Sequence, residues 1–407
     1  MTRRHVHIEG TVSVSADAVW AVAREFCGSW HPALATVEGE QGGSIRRFTV
    51  RGEETVYREQ LTYFSDTDRT YSYKNLEGIH DVENYDASFA ITVIDDMNCK
   101  IDWRAIFDAP EPRATAIAQG TGAIFQMGID AFRILIPRSA AQDGIALNVA
   151  GKTSDTLCLF LHGIGGGKKN WARQLPVAAQ FMQSAAMDLR GYGESALGSA
   201  PSTIDGYCGD ILRVMEWLGA KKLVLVGMSY GSWIATSFAM RHASKLTGLV
   251  LAGGCTGMSE ASVAERDQFR NAREVPLNEG KSPKDFANAV VKVIASPCAS
   301  ESVRKELFES MAAISTATYR DALQCFTQPV EVFDFAKLSL PVVFITGEHD
   351  KLAPSAEIRS VAHRVHNLAK NANVQFEVIA GAGHVCNIEQ PHAFNELLRD
   401  YLEGLVQ

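Results

Sequence analysis

Residues 223–240 read LVLVGMSYGSWIATSFAM: an apolar run, a serine between two glycines, then a run with helical spacing. A strand that passes straight into a helix needs a tight bend. Gly227 and Gly231 suit that bend, because a side chain at either flank would meet neighbouring backbone. Ser229 occupies the middle of G-x-S-x-G, so the reading lifts its hydroxyl clear at the end of a strand.

A serine hydroxyl attacks poorly at neutral pH without a base and a group to orient that base. The chain offers both further on. PVVFITGEHDKLAP (341–354) ends a strand-like run at Asp350, with Glu348 as a neighbouring competitor. VQFEVIAGAGHVCNIEQP (374–391) presents His384 in the loop after the last apolar run. Both follow C-terminal ends of expected strands, where parallel α/β sheets gather their sites. Two backbone N–H groups would face a developing oxyanion. One belongs to Tyr230; the other comes from HGIGGGKKNW (162–171) and is assigned to Ile164, with Gly165 one residue away. Gly165, Trp171 and Trp233 are expected at the substrate pocket, while His162 and Arg190 are read as braces of their own loops.

The surrounding sequence alternates. TLCLFLHG (156–163), QSAAMDLRG (183–191), KKLVLVG (221–227) and LTGLVLAGG (246–254) are almost wholly apolar, as strands buried on both faces of a parallel sheet must be. Helix-like runs such as DGYCGDILRVMEWLGA separate them. Residues 255–340 are rich in helix formers, notably SVAERDQFRNAREV and ESVRKELFESMAAISTATYRDALQCF, and are expected to form a helical cap.

Before residue 137 the rhythm differs. HVHIEGTVSVS alternates with period two, SADAVWAVAREF is helical, and SIRRFTVRG, ETVYREQLTYF, RTYSYKNLEG, NYDASFAITVID and CKIDWRAIFDA read as an antiparallel meander. EPRATAIAQGTGAIFQMGIDAFRILI (111–136) has helical spacing throughout and predicts one long amphipathic helix, weakened by its glycines. A curved sheet around such a helix would enclose an apolar cavity. PRSAAQDG (137–144) is read as a short linker, giving domains at 1–137 and 145–407. The His31 of GSWHP is read as packing beside Trp30.

The first half, through GSWHPALATVEGEQGGSIRRFTV, YREQLTYFSDTDRTYSYKN and IDWRAIFDA, resembles the SRPBCC superfamily, the helix-grip proteins that include START domains and polyketide cyclases. That resemblance implies an α+β domain, an antiparallel sheet around a long helix, that binds hydrophobic or aromatic ligands. From about residue 143, HGIGG, DLRGYGES, GMSYGS, GEHDKLAP and GAGHVCNIEQP occur in order and resemble the α/β hydrolase superfamily, close to the 3-oxoadipate enol-lactonase and esterase group. The resemblance implies a mostly parallel sheet with a helical cap. It also implies that Ser229 is nucleophile, His384 general base and acid, and Asp350, rather than Glu348, the orienting acid. Ser229 stands where dehalogenases and epoxide hydrolases carry aspartate. Hydrolysis of a small hydrophobic ester or lactone is therefore expected. Cleavage of a carbon–carbon bond in ring-fission products is an alternative, set back by Met228 where asparagine is usual and by the missing proline of HGIGGG. A ligand-binding receptor with a degenerate hydrolase half is a second alternative.

Composition sets the outer bounds. The 407 residues are 46% hydrophobic and 21% charged, with net charge −8, which suits a globular protein and argues against a nucleic-acid surface. The eight cysteines form no C-x-x-C pair, so neither zinc nor a disulfide framework is expected. No dinucleotide fingerprint follows a strand, and no cofactor is expected. MTRRHVHIEGTVSVSADAVW predicts neither a secretory leader nor a membrane anchor, and the cytoplasm is the expected compartment. An oligomer is compatible with all of this.

Overall fold

The computed structural model describes residues 1–370 and 372–406. They form two compact units, 1–138 and 139–407, each with its own core.

The first unit contains strands β1 (Thr2–Val12), β2 (Leu34–Glu40), β3 (Ile45–Val50), β4 (Val56–Ser65), β5 (Thr70–Glu77), β6 (Glu83–Asp95) and β7 (Asn98–Ala109), with helices α1 (Ala16–Ala23) and α2 (Arg113–Leu135). The sheet runs β1-β7-β6-β5-β4-β3-β2, every pairing antiparallel. Along β7 the residues alternate between buried and half-exposed, so Ile101, Trp103, Ala105 and Phe107 face inward together. Helix α2 answers with Phe125, Gly128, Ile129 and Phe132, one face at helical spacing. Gly128 is a close-approach site: a Cβ there would lie 2.5 Å from the Trp103 ring and 2.9 Å from that of His31. An aromatic cluster stands between the sheet and α2. Trp103 stacks on Phe125 at 4.5 Å between centroids, Trp30 meets Phe132 at 4.5 Å, and Phe89 meets Trp103 edge-on at 5.1 Å.

The second unit adds β8 (Arg138–Gln142), β9 (Ile145–Ala150), β10 (Thr156–Leu161), β11 (Gln183–Met187), β12 (Lys222–Met228), β13 (Leu246–Ala252), β14 (Val342–Gly347) and β15 (Val374–Ile379). Its helices are α3 (Leu175–Ala178), α4 (Ile204–Trp217), α5 (Tyr230–His242), α6 (Val263–Asn278), α7 (Pro283–Ile294), α8 (Glu301–Ala312), α9 (Thr316–Thr327), α10 (Ser355–Leu368), α11 (Cys386–Glu389) and α12 (Pro391–Val406). The sheet order is β15-β14-β13-β12-β10-β11-β9-β8, parallel from β15 to β11, with β9 antiparallel to β11. Strands β10, β12, β13 and β14 are buried almost end to end, which explains their unbroken apolar character.

One element departs from the sequence reading. The stretch read as a linker is the edge strand β8, hydrogen-bonded to β9, because Asp143 and Gly144 (both at positive φ) turn the chain back on itself. Within the cap, the helix-forming stretch 301–326 is two helices. Ser315 sits in extended conformation between them and its side chain accepts the Thr318 N–H, capping α9. Helices α6 to α9 all lie between β13 and β14. Among the described residues no helix is long and apolar enough to cross a membrane, and all eight cysteines are free thiols.

Candidate active site

Strand β12 ends at Met228 and α5 begins at Tyr230, so Ser229 is the whole of the turn. Its φ of 53° and ψ of −111° lie outside the ordinary regions for a residue with a Cβ. The bend is held by crowding. A Cβ on Gly231 would sit 2.2 Å from the Leu161 carbonyl oxygen, and one on Gly227 would sit 2.5 Å from the Gly231 carbonyl. The Ser229 N–H donates to Ala252 O at 2.7 Å, tying the turn to β13. Tyr230 is the first residue of α5, and the first N–H groups of a helix have no partner within it. Facing the serine is the loop after β10, where a Cβ on Gly163 would be 3.4 Å from the Ser229 Cβ.

Asp350 follows β14 and His384 follows β15, both buried. The His384 Nδ1–H donates to Asp350 Oδ2 at 2.9 Å. The other carboxylate oxygen accepts the N–H groups of Leu352 at 2.8 Å and Ala353 at 2.9 Å. Burial alone would push this carboxyl up, yet these donors and the neighbouring imidazole hold it below the ordinary carboxylate range. With Nδ1 committed to an ionised carboxylate, Nε2 is the nitrogen left to accept a proton. Glu348, the competitor, turns elsewhere and accepts the Gly381 N–H at 2.8 Å. The two loops meet across a pair of glycines: a Cβ on Gly253 would lie 3.2 Å from His384 Cε1, and one on Gly254 would lie 3.8 Å from the Ser229 Cα. Ser229 and His384 both line one cavity of about 320 Å³, together with Ile164, Gly165, Tyr230 and Trp171.

The remaining expectations divide. His162 is a brace: its Nδ1–H donates to Gly163 O at 2.8 Å and its Nε2 accepts the Leu189 N–H at 3.0 Å. Burial pushes that ring down and keeps it neutral. Arg190 pairs with Asp210 at 2.5 Å and also donates to Gly206 O, so it holds its loop to α4. His31 is likewise spent on backbone, with one ring nitrogen 3.0 Å from Ile124 O and the other accepting the Ala33 N–H at 3.1 Å.

Trp233 is a correction. It does not line the cavity; its indole N–H donates to Ser259 Oγ at 2.9 Å and its ring packs on Tyr230 and Phe326. Three residues along α5 from Tyr230, it packs behind the Tyr230 and Phe326 rings that do line the cavity.

Sequence reasoning missed three features. Lys168, in the glycine-rich loop, is buried and donates to Asp188 Oδ2 at 2.7 Å and to Glu194, pinning the loop beside Ile164. Asn170 accepts the Gly167 N–H at 2.8 Å and donates nothing to periodicity that could reveal it. The cap also reaches the imidazole: the His384 N–H donates to Ile294 O, the last residue of α7, at 2.7 Å. A Cβ on Gly383 would lie 2.4 Å from that same oxygen, and the Glu389 carboxylate accepts the Ser296 N–H at 2.8 Å.

The family described as "alpha/beta hydrolase fold" matches residues 157–391, more than half of the chain, and the protein belongs to it. The family described as "Polyketide cyclase / dehydrase and lipid transport" matches residues 3–135. Among individual relatives, the chain is 25% identical to epoxide hydrolase 3 of Xenopus tropicalis over 62% of its own length and 73% of that protein's. It is 22% identical to 3-oxoadipate enol-lactonase 2 of Acinetobacter baylyi, over 63% of this chain and 92% of that one. Among solved structures, a thermophilic esterase from Thermogutta terrifontis superposes with a TM-score of 0.56 at 23% identity, covering 67% of this chain and 99% of that one. The enol-lactonase of Burkholderia xenovorans gives 0.54 at 20% identity, over 65% and 100%.

Proposed function

We propose that the second unit is a serine hydrolase that cleaves a carboxylic ester or lactone through an acyl-enzyme. Ser229 Oγ attacks the carbonyl carbon while His384 Nε2 takes its proton, and Asp350 holds the imidazole and stabilises its protonated form. The N–H groups of Ile164 and Tyr230 receive the oxyanion of the tetrahedral intermediate. His384 then gives the proton to the departing alkoxide, and the carbon–oxygen bond breaks. Water, deprotonated by the same imidazole, attacks the acyl group and releases the acid with Ser229 restored. For a lactone the alkoxide stays attached, and one hydroxy acid leaves.

The observation that carries this reading is the pairing of a strained Ser229, at φ 53°, with a buried His384–Asp350 couple on one cavity wall. The likeness to an enol-lactonase and an esterase supports the substrate class. The Xenopus relative is named an epoxide hydrolase, but no carboxylate occupies position 229 here to attack an epoxide. The free thiols support a reducing, cytoplasmic setting.

A fluorophosphonate probe should label the intact protein and fail on Ser229→Ala, and ester hydrolysis should fall by roughly 10⁴-fold or more in that variant. Undiminished hydrolysis by Ser229→Ala overturns the assignment.

A further inference from the structure

The cavity that holds Ser229 is lined by the loops after the strands and, from the inserted helices, by apolar side chains such as Phe269, Val290, Leu307 and Phe326, yet α6 sends one guanidinium into that wall. Arg273 lies flat over the ring of Phe269, one turn earlier, with its central carbon 3.4 Å from the ring centroid. One of its nitrogens donates to the Phe269 carbonyl at 2.9 Å. The hydroxyl of Tyr319, on α9, lies beside it. A guanidinium carries five N–H donors, so these neighbours leave most of them unspent.

What is missing is an anion. Arg270, on the same helix, pairs with Asp267 and Glu274, whereas Arg273 forms no ion pair among the described residues. The other charged side chains on the cavity wall, Lys351 and Glu357, are solvent-exposed. Among the described residues neither of them forms an ion pair or hydrogen bond with Arg273. Desolvation weakens the hold of Arg273 on its proton, but an arginine stays charged under any working condition. The fold therefore maintains a partly dehydrated positive charge against an aromatic face, at a cost that an incoming anion would offset.

We propose that Arg273 is a specificity-determining residue that binds a carboxylate carried by the substrate, on the same molecule as the ester or lactone group. The substrate class becomes an amphipathic acid: an apolar body in the cavity, one anionic group on Arg273, and the carbonyl at Ser229. This rests on the reading of Ser229 as nucleophile for its catalytic meaning, though anion binding itself does not.

Two measurements separate the claims. Equilibrium binding of 4-phenylbutyrate and its uncharged amide is compared by calorimetry in wild type, Arg273→Met and Arg273→Lys. In parallel, kcat/KM is compared for p-nitrophenyl hydrogen adipate and p-nitrophenyl hexanoate. Wild type should prefer the anionic member of each pair by roughly 10-fold to 100-fold. That ratio should collapse towards one in Arg273→Met and be partly kept in Arg273→Lys. Equal binding of amide and carboxylate by wild type overturns the proposal, as does an undiminished preference in Arg273→Met. Should Arg273→Met fail to accumulate, Arg273→Lys and the wild-type pair decide. Carboxylate binding through Arg273 without any ester cleavage would sink the hydrolase reading alone; cleavage by Ser229 with no charge preference would sink this one alone.

Discussion

At the scale of single residues, the bend at Ser229 is the most constrained point of the second unit. Gly231 packs against the Leu161 carbonyl so closely that any Cβ must displace main chain, not a flexible side chain. Gly231→Ala should therefore cost roughly 2–4 kcal/mol, read as a lowered urea midpoint, and should depress fluorophosphonate labelling by shifting the serine. Gly227 and Gly231 were legible because a short motif encodes a short-range clash. Asp350 and His384 were legible through their place after apolar runs, which the parallel sheet turns into proximity. Arg273 was not legible. Its neighbours Arg266 and Arg270 share the helix and its composition, and nothing local says which of them turns inward.

At the scale of elements, composition marked 301–326 as rich in helix formers but did not mark the break at Ser315, since propensity is nearly uniform across it. The cap hydrogen bond decides: Ser315 Oγ accepts the Thr318 N–H at 3.0 Å and lets α9 start in a new direction. Helix α9 carries Tyr319 and Phe326 to the cavity wall, so its first turn matters to the pocket. Ser315→Ala should remove about 1 kcal/mol of local stability. Hydrogen exchange over 316–327 should speed up accordingly while β10 and β12 keep their protection. Equal protection of α9 in the variant would show that tertiary packing alone sets its start. The edge strand β8 escaped the sequence reading for a related reason. Its five residues are mostly exposed, so no apolar pattern marks them, and the turn at Asp143–Gly144 creates the pairing.

At the scale of the whole molecule, acid should act on the first unit through one buried imidazole. His31 is buried among Trp30, Trp103 and α2, and burial pushes its ring down to about 4. A base whose folded value is depressed favours the neutral form in the fold, while the unfolded chain takes up a proton near 6.5. The stability it contributes is full above about pH 6.5, declines as pH falls towards 4, and is then flat, a loss of about 3 kcal/mol across that window. Limited proteolysis in urea at pH 7 and pH 5 should show fragments of residues 1–138 appearing at lower urea in acid. His31→Gln, which keeps a donor for Ile124 O, should flatten that dependence; an unchanged slope in the variant would assign the acid response to other groups. The sequence showed a lone histidine beside a tryptophan, and only the enclosing aromatic cluster reveals why its charge is excluded.

The junction of α7 with the His384 loop bears on any attempt to re-engineer this protein. Helices inserted between two neighbouring strands of an open sheet invite exchange as a detachable lid, grafted from one relative to another to obtain new selectivity. Here the C-terminal carbonyl of α7 is itself what seats the imidazole loop. A chimera that swaps residues 263–327 wholesale would thus arrive with its proton carrier misaligned, and selectivity and turnover could not be tuned independently unless Ile294, Ser296 and Glu389 travel together.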